Sequence, residues 1–195
     1  SMTSAGDCTA IGYNSLTANI TGGQNTAMGS FALYSNTTAS NNTAVGYSSL
    51  SSNTTGTRNV AMGSFSLQLA TTASDNTAIG FGSLSTNVTG TRNTALGSLT
   101  LQQNTTNDNT AVGYNTLCAN TTGARNTAMG ALALDTNTTA SDNTAFGYNA
   151  LTENLTGTNN TAIGSNALIT NTASNNTAVG YNTLCANTSG TSNTA

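Results

Sequence analysis

The feature that most constrains this chain is a short internal repeat, which begins at Cys8 and continues to the last residue. The phrase Asn-Thr-Ala-apolar-Gly recurs along the 195 residues, and successive copies begin 17 residues apart in nine cases and 16 residues apart in two. A unit this short cannot bury a core of its own, so the repeat predicts a solenoid that is stabilised by stacking of successive units. We number each copy from its first residue as position 1. These first residues are Cys8, Asn25, Asn42, Asn59, Asn76, Asn93, Asn109, Asn126, Asn143, Asn160, Asn176 and, in a truncated last copy, Asn193.

Two positions of the repeat are apolar in every complete copy. Position 9 is always Leu, and position 4 is Ile, Val, Met, Leu or Phe. Helical solenoids use longer units with an apolar period of 3.6 residues, whereas this unit is rich in Thr, Asn, Gly and Ser, which suits short strands and turns. The sequence therefore predicts an all-β fold, a parallel β-solenoid or β-roll of 16–17-residue coils. We expect one strand at positions 2 to 5, a second at positions 7 to 11 and a return turn at positions 12 to 15.

The charged residues at position 17 indicate how much chain forms one coil. Arg58, Asp75 and Arg92 occupy this position in successive copies, and the alternation of sign continues through the next three copies. Coils of one repeat would stack opposite charges about 4.8 Å apart, while coils of two repeats, about 34 residues, would stack like charges that repel by roughly 1 to 4 kcal/mol. We therefore expect one coil per repeat.

The repeat defines a single domain. Residues 8–195 are expected to form one β-solenoid of eleven complete coils and a truncated twelfth, and because the chain stops within a repeat we expect an excerpt of a longer array. Residues 1–7 precede the first copy as a lead-in, in which Ser1 and Met2 are expected to derive from a cloning tag. Both 16-residue copies are shortened after position 12, which indicates a loop there.

Strand alternation assigns the side chains of the first predicted strand to two faces. Positions 2 and 4 share one face, and positions 3 and 5 share the other. Because position 4 is large and apolar, and because Val60 replaces the usual Thr at position 2 in one copy, we expect positions 2 and 4 to point inward. Positions 3 and 5, always Ala and Gly, would then form a flat outer face on which identical subunits can pack about a symmetry axis.

The repeat resembles those of known fibrous proteins. The phrase Asn76–Gly80, followed by Ser83 and Leu84 and by the next copy one coil later, looks like the head repeats of trimeric autotransporter adhesins, the YadA-like family, and like repeats in bacteriophage tail fibres. This resemblance implies a left-handed parallel β-roll in a homotrimer, exposed on a cell surface or a virion, with recognition often assigned to other regions. The present chain departs from the common adhesin head in its longer units and longer Asn-Thr-Thr-Gly loop.

The repeat and the resemblance together predict a structural and adhesive fibre module. It would act as a rod or head of an extracellular adhesin or tail fibre, with its own copies as partners and with host or surface glycans as further partners. The alternative is an ice-binding solenoid, which requires ranks of Thr on a flat outer side. A lesser alternative is a carbohydrate-binding solenoid.

Composition excludes several other classes of function. Charged residues make up only 5% of the chain, which has three Arg, no Lys and no His, so no basic patch is available for nucleic acid. We expect no enzymatic activity, since the usual general bases are absent and the carboxylates pair with Arg. We also expect no cofactor and no membrane insertion. We expect no metal, because Gly22 and Gly23 are the only fragment of a calcium-binding β-roll motif.

Six copies carry a large ring at position 6, and these residues form the candidate site of the sequence. We interpret them as a surface or corner aromatic column, alternating with copies that carry the large residue at position 7. Filling of a corner is favoured over a stacking platform for sugars. The column consists of Tyr13, Tyr47, Phe81, Tyr114, Tyr148 and Tyr181.

Asparagine and cysteine also have competing interpretations. Asn36 and Asn120, like other Asn residues at position 12, fit the glycosylation pattern, yet Asn at positions 1 and 12 recurs once per coil and is favoured as amide hydrogen-bonded ladders. Cys118 and Cys185 share position 10 four coils apart, about 19 Å, which is too far for a disulfide. We interpret them as substitutes for Ser, with links between subunits as the alternative. Cys8 occupies position 1 in the one copy that lacks Asn there.

Overall fold

The computed structural model describes residues 6–195 and shows an all-β chain. Eleven strands of three residues form one parallel sheet, in which the strands follow chain order. Every strand begins at position 2 of a repeat, so the predicted parallel β-solenoid is confirmed. Of the predicted lead-in, Ser1 and Met2 lie outside the described residues. The strands are β1 (Thr9–Ile11), β2 (Thr26–Met28), β3 (Thr43–Val45), β4 (Val60–Met62), β5 (Thr77–Ile79), β6 (Thr94–Leu96), β7 (Thr110–Val112), β8 (Thr127–Met129), β9 (Thr144–Phe146), β10 (Thr161–Ile163) and β11 (Thr177–Val179).

Successive strands pair in register, which establishes one coil per repeat. Thr77 pairs with Thr94 across a 17-residue step, and Thr94 pairs with Thr110 across a 16-residue step. The alternative of a two-repeat coil is therefore wrong. Because the shorter copy leaves the strand register unchanged, its missing residue is accommodated in the loop after position 12.

The charges at position 17 form ion pairs between neighbouring coils. The guanidinium of Arg58 donates two hydrogen bonds to the carboxylate of Asp75, with N to O distances of 2.6 and 2.9 Å. Opposite charges are thus stacked on each other, as a one-repeat coil requires. The side chains are 61% and 38% exposed, so the pair lies at the surface. The other two pairs are Arg92 with Asp108 and Arg125 with Asp142.

The strand side chains point in the opposite direction to the prediction. Ala at position 3 is fully buried from β2 to β11, as at Ala78 and Ala95, whereas Ile79 at position 4 is exposed. The prediction that positions 2 and 4 face inward is therefore wrong. The interior of the coil is thin, and the Leu side chains at position 9 occupy it together with the Ala methyl groups. Larger strand side chains fit only on the outside.

Leu at position 9 forms the buried column that the sequence predicts, with Leu84 and Leu101 fully buried. The segment around it is not the predicted second strand, because positions 7 and 9 have left-handed backbones, with φ of 63° at Gly82 and 51° at Leu84. Hydrogen bonds between coils continue nevertheless, and the Leu84 N–H donates to the Thr100 carbonyl at 3.1 Å. A left-handed Leu costs about 1–2 kcal/mol, which burial of its side chain offsets. The bends return the chain across a narrow interior, which a straight strand cannot do.

Glycine at position 5 forms the corner after each strand. Its φ lies between 126° at Gly12 and 138° at Gly147, a conformation that side chains disfavour. A Cβ at Gly46 would lie 2.7 Å from the carbonyl carbon of Gly63 in the next coil. The repeated Gly therefore permits a sharp corner and close stacking, and does not form the flat Ala/Gly outer face that we predicted.

Asparagine at position 1 forms a continuous column along the array, hereafter column 1. The Oδ1 of Asn76 accepts a hydrogen bond from the backbone N–H of Asn93 in the next coil at 2.9 Å, and its Nδ2 donates to the Gly90 carbonyl at 2.9 Å. The column continues through the first 16-residue copy, where the Asn109 N–H donates to Asn93 Oδ1 at 3.0 Å. Each of these side chains therefore closes its own coil and connects it to the next.

Asparagine at position 12 forms a second buried column, hereafter column 12, which is interrupted. The Nδ2 of Asn53 donates to the Oδ1 of Asn36 at 2.9 Å. At Ala70 the column has a gap, and the buried Oδ1 of Asn53, which faces it, has no hydrogen-bond partner among the described residues. The Oδ1 of Asn87 is also unpaired, because the Nδ2 of Asn104 in the following coil donates to the Thr106 carbonyl instead. The amide ladders predicted from the sequence are confirmed. The position 12 side chains that fit the glycosylation pattern, including Asn36, are buried in this column, except Asn187 near the end of the array, which is half-buried.

Candidate interaction surface

The side chains at positions 2 and 4 of the eleven strands form one continuous surface, which we call the outer sheet face. At position 2 it carries Thr in all strands except β4, which has Val60. At position 4 it carries a column of apolar side chains that runs the length of the sheet. The most exposed members are Ile11, Met28, Met62, Ile79, Phe146, Ile163 and Val179, between 39% and 58% exposed.

The chemistry of the outer sheet face is uncharged and partly hydroxylic. No strand contains a charged residue. The hydroxyls of Thr77 and Thr94 make no hydrogen bond with the described residues, in contrast to the loop Thr54, whose hydroxyl donates to the Thr71 carbonyl at 3.0 Å. An apolar column beside a row of free hydroxyls can be covered by a surface of similar composition. An exposed apolar surface of this length is typical of an interaction site.

The residues of the predicted aromatic column lie at the corner next to the outer sheet face, with their rings turned to solvent. They are between 48% exposed at Tyr47 and 74% exposed at Tyr181. In the first part of the array, rings of adjacent coils contact each other edge to face, as in Tyr47 and Phe65 with centroids 5.3 Å apart. Adjacent rings are therefore tolerated, because the corner opens to solvent and is not a filled interior space.

Sequence reasoning missed a cleft that two neighbouring coils form beside this column. Phe31, Tyr34 and Tyr47 contribute its rings, and serine residues line the rest. Only Tyr47 belongs to the predicted column. The sequence signal was Tyr34, since no other copy has an aromatic residue at position 10. A search for departures from the repeat would have found it.

Two partly buried titratable side chains among residues 6–195 have raised pKa values. Burial, and next the charge of Asp135, raise the pKa of the Cys118 thiol, and burial raises the pKa of Asp135. A thiol with a raised pKa is protonated at neutral pH and reacts slowly. Cys8 and Cys185, like Cys118, are free and partly buried. Hydrogen bonds from Arg58 hold the pKa of Asp75 below its usual range, so this carboxylate is ionised and paired.

Among residues 6–195, no three His, Cys, Asp or Glu side chains converge on a position suited to a metal ion. That part of the chain also contains no helix with the length and hydropathy needed to cross a bilayer. The outer sheet face and the aromatic cleft are two exposed surfaces that contain apolar side chains.

Comparisons of this chain with protein-family models, with curated proteins and with solved structures find no match. The similarity of its repeat to adhesin heads and tail fibres therefore stays a prediction. Function has to be argued from the geometry of the coils.

Proposed function

We propose that this chain is a structural and adhesive fibre module, a rod or head that presents recognition regions of a homotrimeric adhesin or phage-like tail fibre. The observation that carries the proposal is the outer sheet face, whose apolar column is uncovered along the whole array. In the trimer this face packs against the same face of two identical chains. The contact surface is thus not the Ala/Gly face expected from the sequence, because Ala at position 3 is buried inside the coil.

The dimensions of the outer sheet face suit a long contact between parallel chains. Eleven strands at a spacing of about 4.8 Å extend over roughly 48 Å. Each coil presents one residue at position 2 and one at position 4, so three aligned chains would bring like positions together in every layer. A closed arrangement about an axis covers the face of each subunit and leaves no copy of it free for further association.

The chemistry of this face supports a second copy of the chain as its occupant. The absence of charge at positions 2 and 4 allows identical faces to meet without repulsion. Thr hydroxyls of facing chains can hydrogen-bond with each other while the apolar side chains pack. A strongly charged partner would leave its own charges desolvated and unpaired on such a surface.

The remaining parts of the proposal come from the similarity of the repeat to adhesin and tail-fibre repeats. They are a left-handed winding of the coil, a location outside the cell on a cell surface or virion, and glycans of a host or surface as partners. A rod with few charges and many exposed hydroxyls is compatible with each of them.

Assembly is tested by the mass of the protein in solution with and without charges on the outer sheet face. By sedimentation equilibrium, the wild-type protein should have three times the 19.4 kDa mass of one chain. The double variant Ile79→Glu, Ile163→Glu places like charges near the axis in two layers and should sediment as a single chain with an unchanged far-ultraviolet circular dichroism spectrum.

A matched control places a charge elsewhere on the solenoid. Gln103 is exposed on the loop side of its coil, and Gln103→Glu should retain the trimeric mass. If the wild-type protein sediments as a single chain at every concentration measured, the proposal is wrong. A double variant that remains trimeric would place the contact on another surface.

Ice binding is a second candidate, which one observation favours. The Thr column at position 2 faces outward with free hydroxyls, so the expectation that it points inward no longer argues against this function. Its members repeat at about 4.8 Å along a flat sheet. The neighbouring column at position 4 is less regular, since Val, Ile, Leu, Met and Phe differ in length, and this unevenness favours packing against a protein surface over a planar lattice.

The two functions require the same face and therefore exclude each other. A trimer covers the Thr column, whereas an ice binder needs it open to water. A single-chain mass together with thermal hysteresis that is lost in Thr94→Lys would support ice binding. A trimeric mass without thermal hysteresis would support the fibre module.

A further inference from the structure

We propose that the cleft between the coils that begin at Asn25 and Asn42 binds a neutral hexopyranose unit of a glycan. Phe31, Tyr34 and Tyr47 line it together with four serine residues, and it is a cleft of about 310 Å³ that opens widely to solvent. That volume lies at the lower end of the roughly 300–1,000 Å³ found for small-molecule sites. The cleft therefore has room for one sugar ring with the rest of the glycan in solvent.

The aromatic residues of the cleft form a fixed arrangement with exposed ring surface. Phe31 lies between the two tyrosines, with centroid distances of 5.7 Å to Tyr34 and 6.0 Å to Tyr47 and interplanar angles of 71° and 86°. Both tyrosine rings therefore stand nearly perpendicular to the same phenylalanine. Tyr34 is 42% and Tyr47 is 48% exposed, so each offers part of a ring face to a ligand.

The backbone beneath these rings is held by neighbouring coils, which limits their motion. The Phe31 N–H donates to the Tyr13 carbonyl at 2.9 Å, and the Ser48 N–H donates to the Ser30 carbonyl at 2.9 Å. A site whose backbone is ordered before binding loses little backbone conformational entropy when the ligand arrives.

Serine hydroxyls supply the polar part of the cleft. Ser35, Ser48 and Ser52 line it, and their side chains make no hydrogen bond with the described residues. Ser48 is only 8% exposed as a residue, and its hydroxyl, which remains accessible to solvent, has no hydrogen-bond partner among the described residues. The fourth serine, Ser51, has a long contact of 3.5 Å from its hydroxyl to the Gln68 carbonyl. Donors and acceptors are thus available for ligand hydroxyls.

Stacking of the coils does not require a ring at position 10, although the Tyr34 ring contacts Phe31 edge to face with centroids 5.7 Å apart. Position 10 carries small or polar residues in most other copies, and the coils stack in the same register in every case. A bulky exposed ring at one copy alone is therefore better explained by an interaction of its own. The residues at position 10 in the other copies are Thr17, Ser51, Gln68, Ser85, Gln102, Cys118, Asp135, Thr152, Ile169 and Cys185.

The combination of rings and hydroxyls selects the class of ligand. A hexopyranose has a face of C–H groups that packs on an aromatic ring and a rim of hydroxyls that hydrogen-bonds with serine, so both parts of the cleft are used. No charged residue lines the cleft, which favours a neutral sugar over an acidic one. A purely apolar ligand would leave the Ser48 hydroxyl covered and unpaired.

The role of the cleft as a recognition site rests on the proposed function of the chain as an adhesin. Its geometry does not depend on the trimer, because one chain supplies all of its walls. Sugar binding and trimer formation are therefore measured separately. The Ile79→Glu, Ile163→Glu variant should bind sugar even when it sediments as a single chain. A wild-type protein that sediments as a single chain and still binds sugar would overturn the assembly and leave the cleft intact.

The test uses the methyl glycosides of glucose, galactose, mannose and N-acetylglucosamine, with N-acetylneuraminic acid as the charged comparison. Saturation-transfer difference NMR should detect at least one neutral glycoside, and tyrosine emission, which no Trp obscures, should follow its titration. Tyr34→Ser restores a residue common at position 10 and should weaken binding about tenfold, as expected for loss of one stacked ring. Its circular dichroism spectrum should match that of the wild-type protein.

Tyr148→Ser is the matched control, because Tyr148 belongs to the aromatic column but lies outside the cleft. This variant should bind the same glycoside with unchanged affinity. The proposal is overturned if none of the neutral glycosides binds, if Tyr34→Ser binds as well as the wild-type protein, or if Tyr148→Ser weakens binding equally. Preferential binding of N-acetylneuraminic acid would also overturn it.

Discussion

The inner and outer faces of the sheet are built from the same three-residue strands, yet their side chains obey different rules. The inner face carries Ala at position 3 of every strand, buried from β2 onward. The outer face carries Thr, or once Val60, beside five different apolar residue types. One size of side chain is accepted inside, and many sizes are accepted outside.

This difference shows that the thickness of the coil determines the direction of the strand side chains. The column of Leu at position 9 fills the interior, so the opposite strand can contribute only methyl groups. Larger apolar residues are excluded from the core that their hydrophobicity would favour, and they form an exposed apolar surface. The association surface in our proposal is therefore a consequence of a narrow core.

The largest expected effect comes from truncating the inner column. Leu84→Ala should lower the free energy of unfolding by about 2–5 kcal/mol, because it leaves a cavity between tightly stacked coils. Leu96→Ala removes the same atoms from the outer sheet face. In the single-chain background of Ile79→Glu, Ile163→Glu, it should cost under about 1 kcal/mol. Urea unfolding of both variants measures the difference, and equal losses would contradict the assignment of the two faces.

Enlarging the inner face is the converse change. Ala95→Leu inserts three carbon atoms where only a methyl group fits and should destabilise the fold by about 1–3 kcal/mol or prevent folding. Thr94→Leu introduces the same side chain at the preceding position, which lies on the outer sheet face, and this variant should fold normally. The urea midpoints of the two proteins provide the comparison. A well-folded Ala95→Leu protein beside an unfolded Thr94→Leu protein would reverse our orientation of the strand.

Filling the gap in column 12 should strengthen the interior. Ala70→Asn provides an amide that can donate to the unpaired Oδ1 of Asn53 and accept from the Nδ2 of Asn87, and should raise the free energy of unfolding by about 1 kcal/mol. Asn36→Ala makes the same gap in an intact part of the column and should be destabilising. Thermal unfolding of the two variants measures both effects. A destabilised Ala70→Asn protein would argue against the ladder.

The smallest effect is expected at the exposed rim, where the Arg–Asp pairs lie. Hydrogen bonds from Arg lower the pKa of Asp75, Asp108 and Asp142. The pairs therefore contribute stability above the unfolded carboxyl pKa of about 4, and this contribution is lost as the pH falls through the lowered folded values. Replacing all three with Asn, which other copies carry at position 17, should cause a slight loss of stability at pH 7 and none at pH 2.

The comparison of these two proteins also removes a contribution of opposite sign. Burial raises the pKa of Asp135, but this residue is present in both proteins and cancels in the difference between their unfolding curves. A loss of stability that is the same at pH 7 and pH 2 would show that the pairs do not act through their charge.

The coil size, the Leu column and the amide ladders could be predicted from sequence, because each depends only on which residue recurs at the same position. The direction in which the strand side chains point could not be predicted from sequence. Alternation allows two solutions, and the large residue at position 4 favoured the wrong one, since the choice depends on the thickness of the stacked coil. The prediction of a second strand was wrong because Leu84 and its equivalents adopt left-handed backbone conformations, which Leu rarely adopts.

The candidate site was only partly accessible to sequence reasoning. Tyr47 was found because it belongs to a column, whereas Tyr34 breaks the repeat and meets Tyr47 only when two coils stack. Periodicity identifies residues that all copies share. Tyr34 is instead specific to one copy, and only the three-dimensional structure shows that it lies beside Tyr47.

In the proposed trimer, the outer sheet face points away from the core of each chain and is covered by identical chains. Three of the four methionines, Met28, Met62 and Met129, occupy position 4 of this face, so their methyl signals in NMR spectra report on it when a soluble paramagnetic reagent is added. We predict protected methyls in the wild-type protein and broadened methyls in the Ile79→Glu, Ile163→Glu variant. Broadening in the wild-type protein, or protection in the single-chain variant, would contradict the claim.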